Sequence, residues 1–96
     1  MSSKDQFIED MEKKLDEMRH KVDAVQNDVE KAELVERINY NRMTSELYGK
    51  IKDAQMKTDE LKMASEENWS KLKSKAEKTW AELEESARDV IEKIKE

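Results

Sequence analysis

The first third of the chain carries apolar residues at alternating steps of three and four between residues 8 and 32. This spacing is the heptad pattern, in which positions a and d line one face of a helix. The a positions are Ile8, Leu15, Val22 and Val29, and the d positions are Met11, Met18, Val25 and Ala32. The pattern predicts a helix with the seam of a left-handed coiled coil.

The second half follows another period, because its apolar and small residues recur every eleven positions. Eleven residues make almost three helical turns, so three such rows form one nearly straight apolar stripe. The rows are Ala54, Ser65, Ala76 and Ala87; Thr58, Trp69, Trp80 and Ile91; and Leu61, Leu72, Leu83 and Ile94. The bulk of the tryptophan row favours a bundle of three or four helices over a narrow dimer.

The two patterns are one residue out of phase, and the mismatch falls between Val35 and Leu47. The only glycine, Gly49, follows shortly afterwards. An interior glycine costs about 1 kcal/mol relative to alanine, which a long packed helix tolerates. The sequence therefore predicts a nearly continuous helix with a kink or skip near residues 36–49. The alternative is an antiparallel helical hairpin that turns in this region.

These predictions give an all-α, elongated coiled coil that forms one domain over residues 1–96. Its predicted parts are a heptad segment (8–35), a hinge (36–49) and a segment with the eleven-residue repeat (50–96). As one rod the chain would span about 140 Å at 1.5 Å per residue.

The composition predicts that this helix associates with copies of itself. The chain has 96 residues, 45% charged and 35% hydrophobic, so a lone rod has no core in which to bury its apolar stripe. Each large side chain left in water forfeits about 2 kcal/mol. We therefore expect a homo-oligomer assembled as a helical bundle. The expected interface residues are Ile8, Met11, Leu15, Met18, Val22, Val25, Val29, Leu61, Trp69, Leu72, Trp80, Leu83, Val90 and Ile94.

Charges beside the heptad seam favour antiparallel packing. A parallel pair of helices opposes Lys14 to Arg19, whereas an antiparallel pair brings Lys14 to Asp28. Such pairs are worth a few tenths of a kcal/mol each, so the preference is small.

The charge distribution supplies a second functional hypothesis. The net charge is −5, yet the segment 69–80 holds four lysines and one glutamate between two tryptophans. A lysine-rich amphipathic helix with tryptophans is typical of a membrane-surface element. The alternative function is therefore binding to an anionic membrane surface through 69–80, or stress protection through residues 54–94. A solvated lysine face is the simpler interpretation, and an adaptor for an unidentified protein partner is a third.

No residue pattern points to catalysis, a cofactor or nucleic acid. Glu17 and His20 have the Glu-x-x-His spacing of di-iron bundles, but they fall at heptad positions c and f and should face solvent. The chain lacks cysteine, a glycine-rich phosphate loop and a basic nucleic-acid-binding module. Without a signal-peptide or membrane-spanning run, we expect a cytoplasmic, non-enzymatic protein that binds no metal, cofactor or nucleic acid.

Several short motifs are shared with a known group of proteins. They are Phe7-Ile8-Glu9, Lys14-Leu15-Asp16-Glu17, Asp53-Ala54-Gln55, Glu60-Leu61-Lys62-Met63-Ala64-Ser65, Trp69, Leu72-Lys73, Glu77, Trp80 and Leu83. In these motifs the chain resembles small bacterial coiled-coil proteins, mostly uncharacterised and sometimes labelled stress-response proteins. The resemblance implies a soluble bacterial helical protein without a known activity. Members carry alanine or another helix former where this chain has Gly49, which argues against a turn there.

Overall fold

The computed structural model describes residues 2–95, and within this range the chain forms three α-helices. They are α1 (Ser3–Val29), α2 (Leu34–Met63) and α3 (Trp69–Lys95). No strand occurs between residues 2 and 95, so the all-α class is confirmed. The predicted domain 1–96 and its last segment 50–96 also include Met1 or Glu96, which lie outside the described residues.

The helices pack side by side as an elongated bundle. At one end, Lys4 Nζ in α1 donates to the carbonyl oxygen of Ala64, which follows α2, at 2.7 Å. At the other end, Gln26 Nε2 in α1 donates to Asn41 Oδ1 in α2, also at 2.7 Å. Helices α1 and α2 are therefore antiparallel, and α3 runs parallel to α1 after the second reversal. The bundle measures 51 × 19 × 18 Å.

The prediction of one nearly continuous helix was wrong. The chain reverses direction twice, at residues 30–33 and 64–68, and the predicted hinge 36–49 lies inside the unbroken α2. Gly49 has no neighbouring atom within 4 Å of where a Cβ would be, and its φ is not positive, so nothing requires a turn there. The hairpin alternative correctly gave antiparallel helices, but it misplaced the turn and lacked α3.

The first reversal begins at the last buried residue of the heptad seam. Past Val29, the backbone amides of Lys31 and Ala32 still donate to carbonyls three residues back, at 3.1 and 3.0 Å. Glu33 is then extended, with φ −65° and ψ 155°, and α2 starts without a side-chain cap. Arg37 spans the turn, because its Nη2 donates to the Ala32 carbonyl at 3.2 Å.

The second reversal is capped by backbone groups. Ala64 is extended, with φ −78° and ψ 146°, which ends α2. The Ser65 carbonyl then accepts from the amides of Asn68 and Trp69 at 3.1 and 3.0 Å, and the next helix begins. These bonds satisfy amides that the first turn of a helix otherwise leaves unpaired.

The heptad seam forms most of the core, as predicted for α1. Its buried members are Ile8, Met11, Leu15, Met18, Val22, Val25 and Val29. The largest core cluster combines this face with Leu47, Ile51 and Ala54 from α2 and with Leu83 and Ala87 from α3. All three helices therefore meet at a shared apolar centre.

The eleven-residue stripe is divided between two helices that face the same core. Its buried members are Ala54, Thr58 and Leu61 in α2 and Ala76, Leu83 and Ala87 in α3. Ser65, which the repeat placed on the apolar face, is exposed in the second reversal. The stripe therefore packs against helices of its own chain, which a continuous helix would not have allowed.

Candidate interaction surfaces

The residues predicted to form an oligomer interface lie largely within the single chain. Nine of the fourteen are buried against neighbouring helices, seven of them in α1 together with Leu61 and Leu83. The other five, all in α3, are half-buried: Trp69, Leu72, Trp80, Val90 and Ile94. The fold of one chain thus supplies most of the burial for which we expected a second copy. A role of these fourteen residues between chains stays a prediction.

The most exposed group of large aliphatic side chains lies at the start of α2. Leu34, Val35 and Ile38 are 66%, 81% and 65% exposed, and we call them the tip cluster. Since Gln26 contacts both Asn41 and Thr44, α2 begins about one to two turns beyond the end of α1. Within the described residues, α1 ends at Val29 and does not cover this part of α2. The tip cluster is therefore an apolar surface that the fold leaves uncovered.

A second surface is the shallow groove between α1 and α3, which approach each other less closely than either approaches α2. Three adjoining depressions of about 360, 220 and 330 Å³ follow it. We define this α1/α3 groove by the residues that line the depressions: Lys14, Glu17, Met18, Lys21, Ala24, Val25 and Asp28 from α1, and Trp80, Glu84, Ala87, Arg88, Ile91, Glu92 and Lys95 from α3. Its floor is apolar and its rims are charged.

The rim charges of the groove alternate along both helices. Glu17 and Glu84 line one depression. Lys21 and Arg88 lie one helical turn further along α1 and α3, towards the end of the bundle where α2 begins. All four side chains are exposed. Among residues 2–95, none of the four forms an ion pair within 4.0 Å. The groove therefore presents an acidic level and a basic level, and neither is neutralised by an ion pair within the described residues.

The lysine-rich segment is partly engaged inside the bundle. Lys73 Nζ lies 5.3 Å from the ring centre of Phe7 and 5.6 Å from that of Trp69. Both distances fall within the range of cation–π attraction. Lys73 also lies 3.9 Å from the carboxylate of Glu77. The other lysines of the segment 69–80 are exposed, as a solvated face requires.

The candidate metal pair faces solvent, since Glu17 and His20 are both exposed. Within residues 2–95, no three carboxylate or imidazole groups come together in a way that could hold a metal ion. None of the helices described there has both the length and the apolar composition to cross a bilayer.

Two titratable groups with shifted pKa values lie at the α1–α2 contact. Burial, together with a hydrogen bond to the Asp23 carboxylate, raises the pKa of Tyr48 to about 12. The pKa of Lys62 is raised because its ammonium lies 2.7 Å from the Glu12 carboxylate. Each contact joins the first two helices, so both shifts are explained by interhelical packing.

Sequence reasoning missed both surfaces, although each left a signal. Leu34, Val35 and Ile38 follow the end of the heptad seam and fit neither period. In the groove, Glu17 precedes Lys21 and Glu84 precedes Arg88 by four residues, a spacing that places each pair on one helix face. Which faces come together, however, depends on the two reversals.

Comparison with known proteins assigns no family: no protein-family model matches the chain, and no curated protein or solved structure is significantly similar to it.

Proposed function

We propose that the protein is a non-enzymatic helical interaction protein that associates with copies of itself. The observation that carries the proposal is the tip cluster, in which three large aliphatic side chains remain exposed after the bundle has closed. Apolar side chains gathered on one exposed turn favour a protein contact, because their burial is worth about 25 cal/mol per Å².

The wider architecture supports an interaction role. Nearly all of the buried side chains pack between the three helices. The depressions on the surface are open and shallow. Acid–base catalysis needs carboxyl groups held in a water-excluded pocket, where burial separates their pKa values. The clearly shifted groups, Tyr48 and Lys62, instead pair with neighbouring helices.

Sedimentation equilibrium over about 5–500 μM tests this function, since weak protein contacts have micromolar dissociation constants. We expect the average mass of the wild-type protein to rise above that of one chain. The double variant Leu34→Lys/Ile38→Lys should raise the dissociation constant of the tip contact at least tenfold, because it places charge in an apolar contact. Met56→Lys is the matched control, since Met56 is also an exposed apolar residue of α2 but lies away from the tip. A wild-type protein of single-chain mass over the whole range contradicts the proposal.

The membrane alternative can be tested on the same samples. Its proposed stripe, residues 54–94, points its most apolar side chains into the core, so lipid binding by this stripe requires the bundle to open. Anionic vesicles would then shift tryptophan fluorescence to the blue, as Trp69 and Trp80 entered the lipid. We expect no shift from the closed bundle.

A further inference from the structure

The geometry points to a second copy of this chain as the occupant of the α1/α3 groove. The two copies lie antiparallel about a two-fold axis that crosses the groove between Glu17 and Lys21. This inference rests on the proposed self-association, and it adds a contact surface separate from the tip cluster.

The first support is the charge pattern, which is complementary to itself when reversed. Because α1 and α3 are parallel, Glu17 and Glu84 form an acidic level, and Lys21 and Arg88 form a basic level about 6 Å further along. A two-fold axis midway between the levels exchanges them. The acidic level of each copy then faces the basic level of the other. A parallel copy in the same register would oppose like charges instead.

The second support is the position of two half-buried apolar residues. Trp80 and Ile91 lie eleven residues apart on α3, and their midpoint falls at the level of the same axis. Each is about 8 Å from it along the helix. The rotation therefore places Trp80 of each copy near Ile91 of the other. Met18 and Ala87, which are 6% and 2% exposed, form the floor near the axis.

The size of the groove sets the expected strength of this dimer. The α1 side runs from Lys14 to Asp28, a rise of about 21 Å, and the face is two helices or about 20 Å wide. Its projected area is about 400 Å², whereas stable complexes bury about 800 Å² of accessible surface per partner. We therefore expect a dissociation constant of about 10–100 μM. The charges set how the two copies align along the groove.

Charge-swapped variants test the arrangement directly. The basic variant is Glu17→Lys/Glu84→Lys, and the acidic variant is Lys21→Glu/Arg88→Glu. Each variant alone opposes like charges across the axis, so we expect its dissociation constant to rise at least tenfold. A mixture of the two restores opposite charges at both of these levels. We therefore expect the equimolar mixture to form a heterodimer with an affinity close to that of the wild-type homodimer.

Matched controls separate this effect from net charge and from folding. Glu46→Lys/Glu60→Lys and Lys50→Glu/Lys52→Glu change the charge equally on exposed positions of α2, and they should leave self-association unchanged. Thermal unfolding followed by circular dichroism checks that each variant is helical. The Leu34→Lys/Ile38→Lys background weakens the tip contact at least tenfold, so the association that remains reports mainly the groove.

The outcomes distinguish this inference from the proposed function. If the wild-type protein self-associates but the groove variants do so equally well, the groove inference is overturned and the function stands. If the wild-type protein and the mixture both remain single chains to 500 μM, about five times the highest expected dissociation constant, both are overturned. If each variant weakens association and the mixture does not restore it, the two-fold register is wrong.

Discussion

The hydroxyl of Tyr48 in α2 donates a hydrogen bond to the carboxylate of Asp23, near the C-terminal end of α1. Tyr48 lies one turn from the buried Thr44, whose Oγ1 contacts Gln26 Oε1 in α1 at 2.5 Å. The core between these helices is therefore bordered by side-chain hydrogen bonds between them. These bonds join α1 and α2 at neighbouring turns.

The contact between Tyr48 and Asp23 gives the stability of the protein a dependence on alkaline pH. The pKa of Tyr48 is raised from 10.0 to about 12 in the folded chain, so its stabilising effect is complete below pH 10 and is lost as the pH rises through 12. We expect Tyr48→Phe to lower the free energy of unfolding by about 1 kcal/mol at pH 7. Between pH 10 and 12 the difference should shrink. Urea unfolding at several pH values measures it, and a constant difference would contradict this assignment.

Replacing Gly49 with alanine should stabilise the protein. Gly49 lies in an exposed part of α2 with open space beside it, so an added methyl group meets no neighbour. Alanine favours a helix by about 1 kcal/mol relative to glycine. We expect the urea midpoint of Gly49→Ala to rise without a change in the slope of the transition. A loss of stability would instead support the hinge that the sequence suggested.

Truncation of equivalent leucines should separate the core from the tip cluster. Leu15 is fully buried, whereas Leu34 is 66% exposed. Leu15→Ala removes buried methyl groups and leaves a cavity, so we expect a loss of about 2–5 kcal/mol in the free energy of unfolding. Leu34→Ala is the matched control and should change it by less than about 0.5 kcal/mol. Equal effects in dilute solution would mean that Leu34 is also packed within the single chain.

Solution scattering should distinguish the bundle from an extended rod. The Cα radius of gyration is 15.4 Å, and we expect a value close to this at low concentration. A continuous rod about 140 Å long would have a radius of gyration of about 40 Å. At higher concentration, a groove dimer should raise the mass twofold but lengthen the particle little, because its copies lie side by side.

The apolar periods predicted which face of each helix is buried with considerable accuracy. All seven heptad positions from Ile8 to Val29 are buried, because a helix exposes each a and d residue to the same neighbour. The phase shift after this segment predicted an irregularity inside a continuous helix, whereas the structure has a full reversal before α2. The predicted position was several residues too late. The reason is that α2 is a separate helix, so the phase of its apolar residues follows its own buried face.

The end of α2 shows what local signals could and could not indicate. Ser65, Glu66 and Glu67 resemble a helix start with acidic residues in the first turn, yet the eleven-residue repeat continues through them. A new helix that starts here and one helix that continues through these residues are therefore both consistent with the local sequence. The reversal prevails in the fold because it lets Leu61 and Leu83 enter a core with α1, which one straight helix cannot achieve.

By itself, the sequence determined that the chain is helical and which side chains avoid water, since both depend on propensity and on spacing along a single helix. The tertiary structure decided where the chain reverses, and thus that its apolar faces meet within one molecule. Turns 30–33 and 64–68 carry neither glycine nor proline, so the free energy of closing the core, not local chemistry, selects them. That closure leaves the tip cluster uncovered and brings the charges of α1 and α3 into one groove, because both surfaces arise from how far each helix extends beside its neighbours.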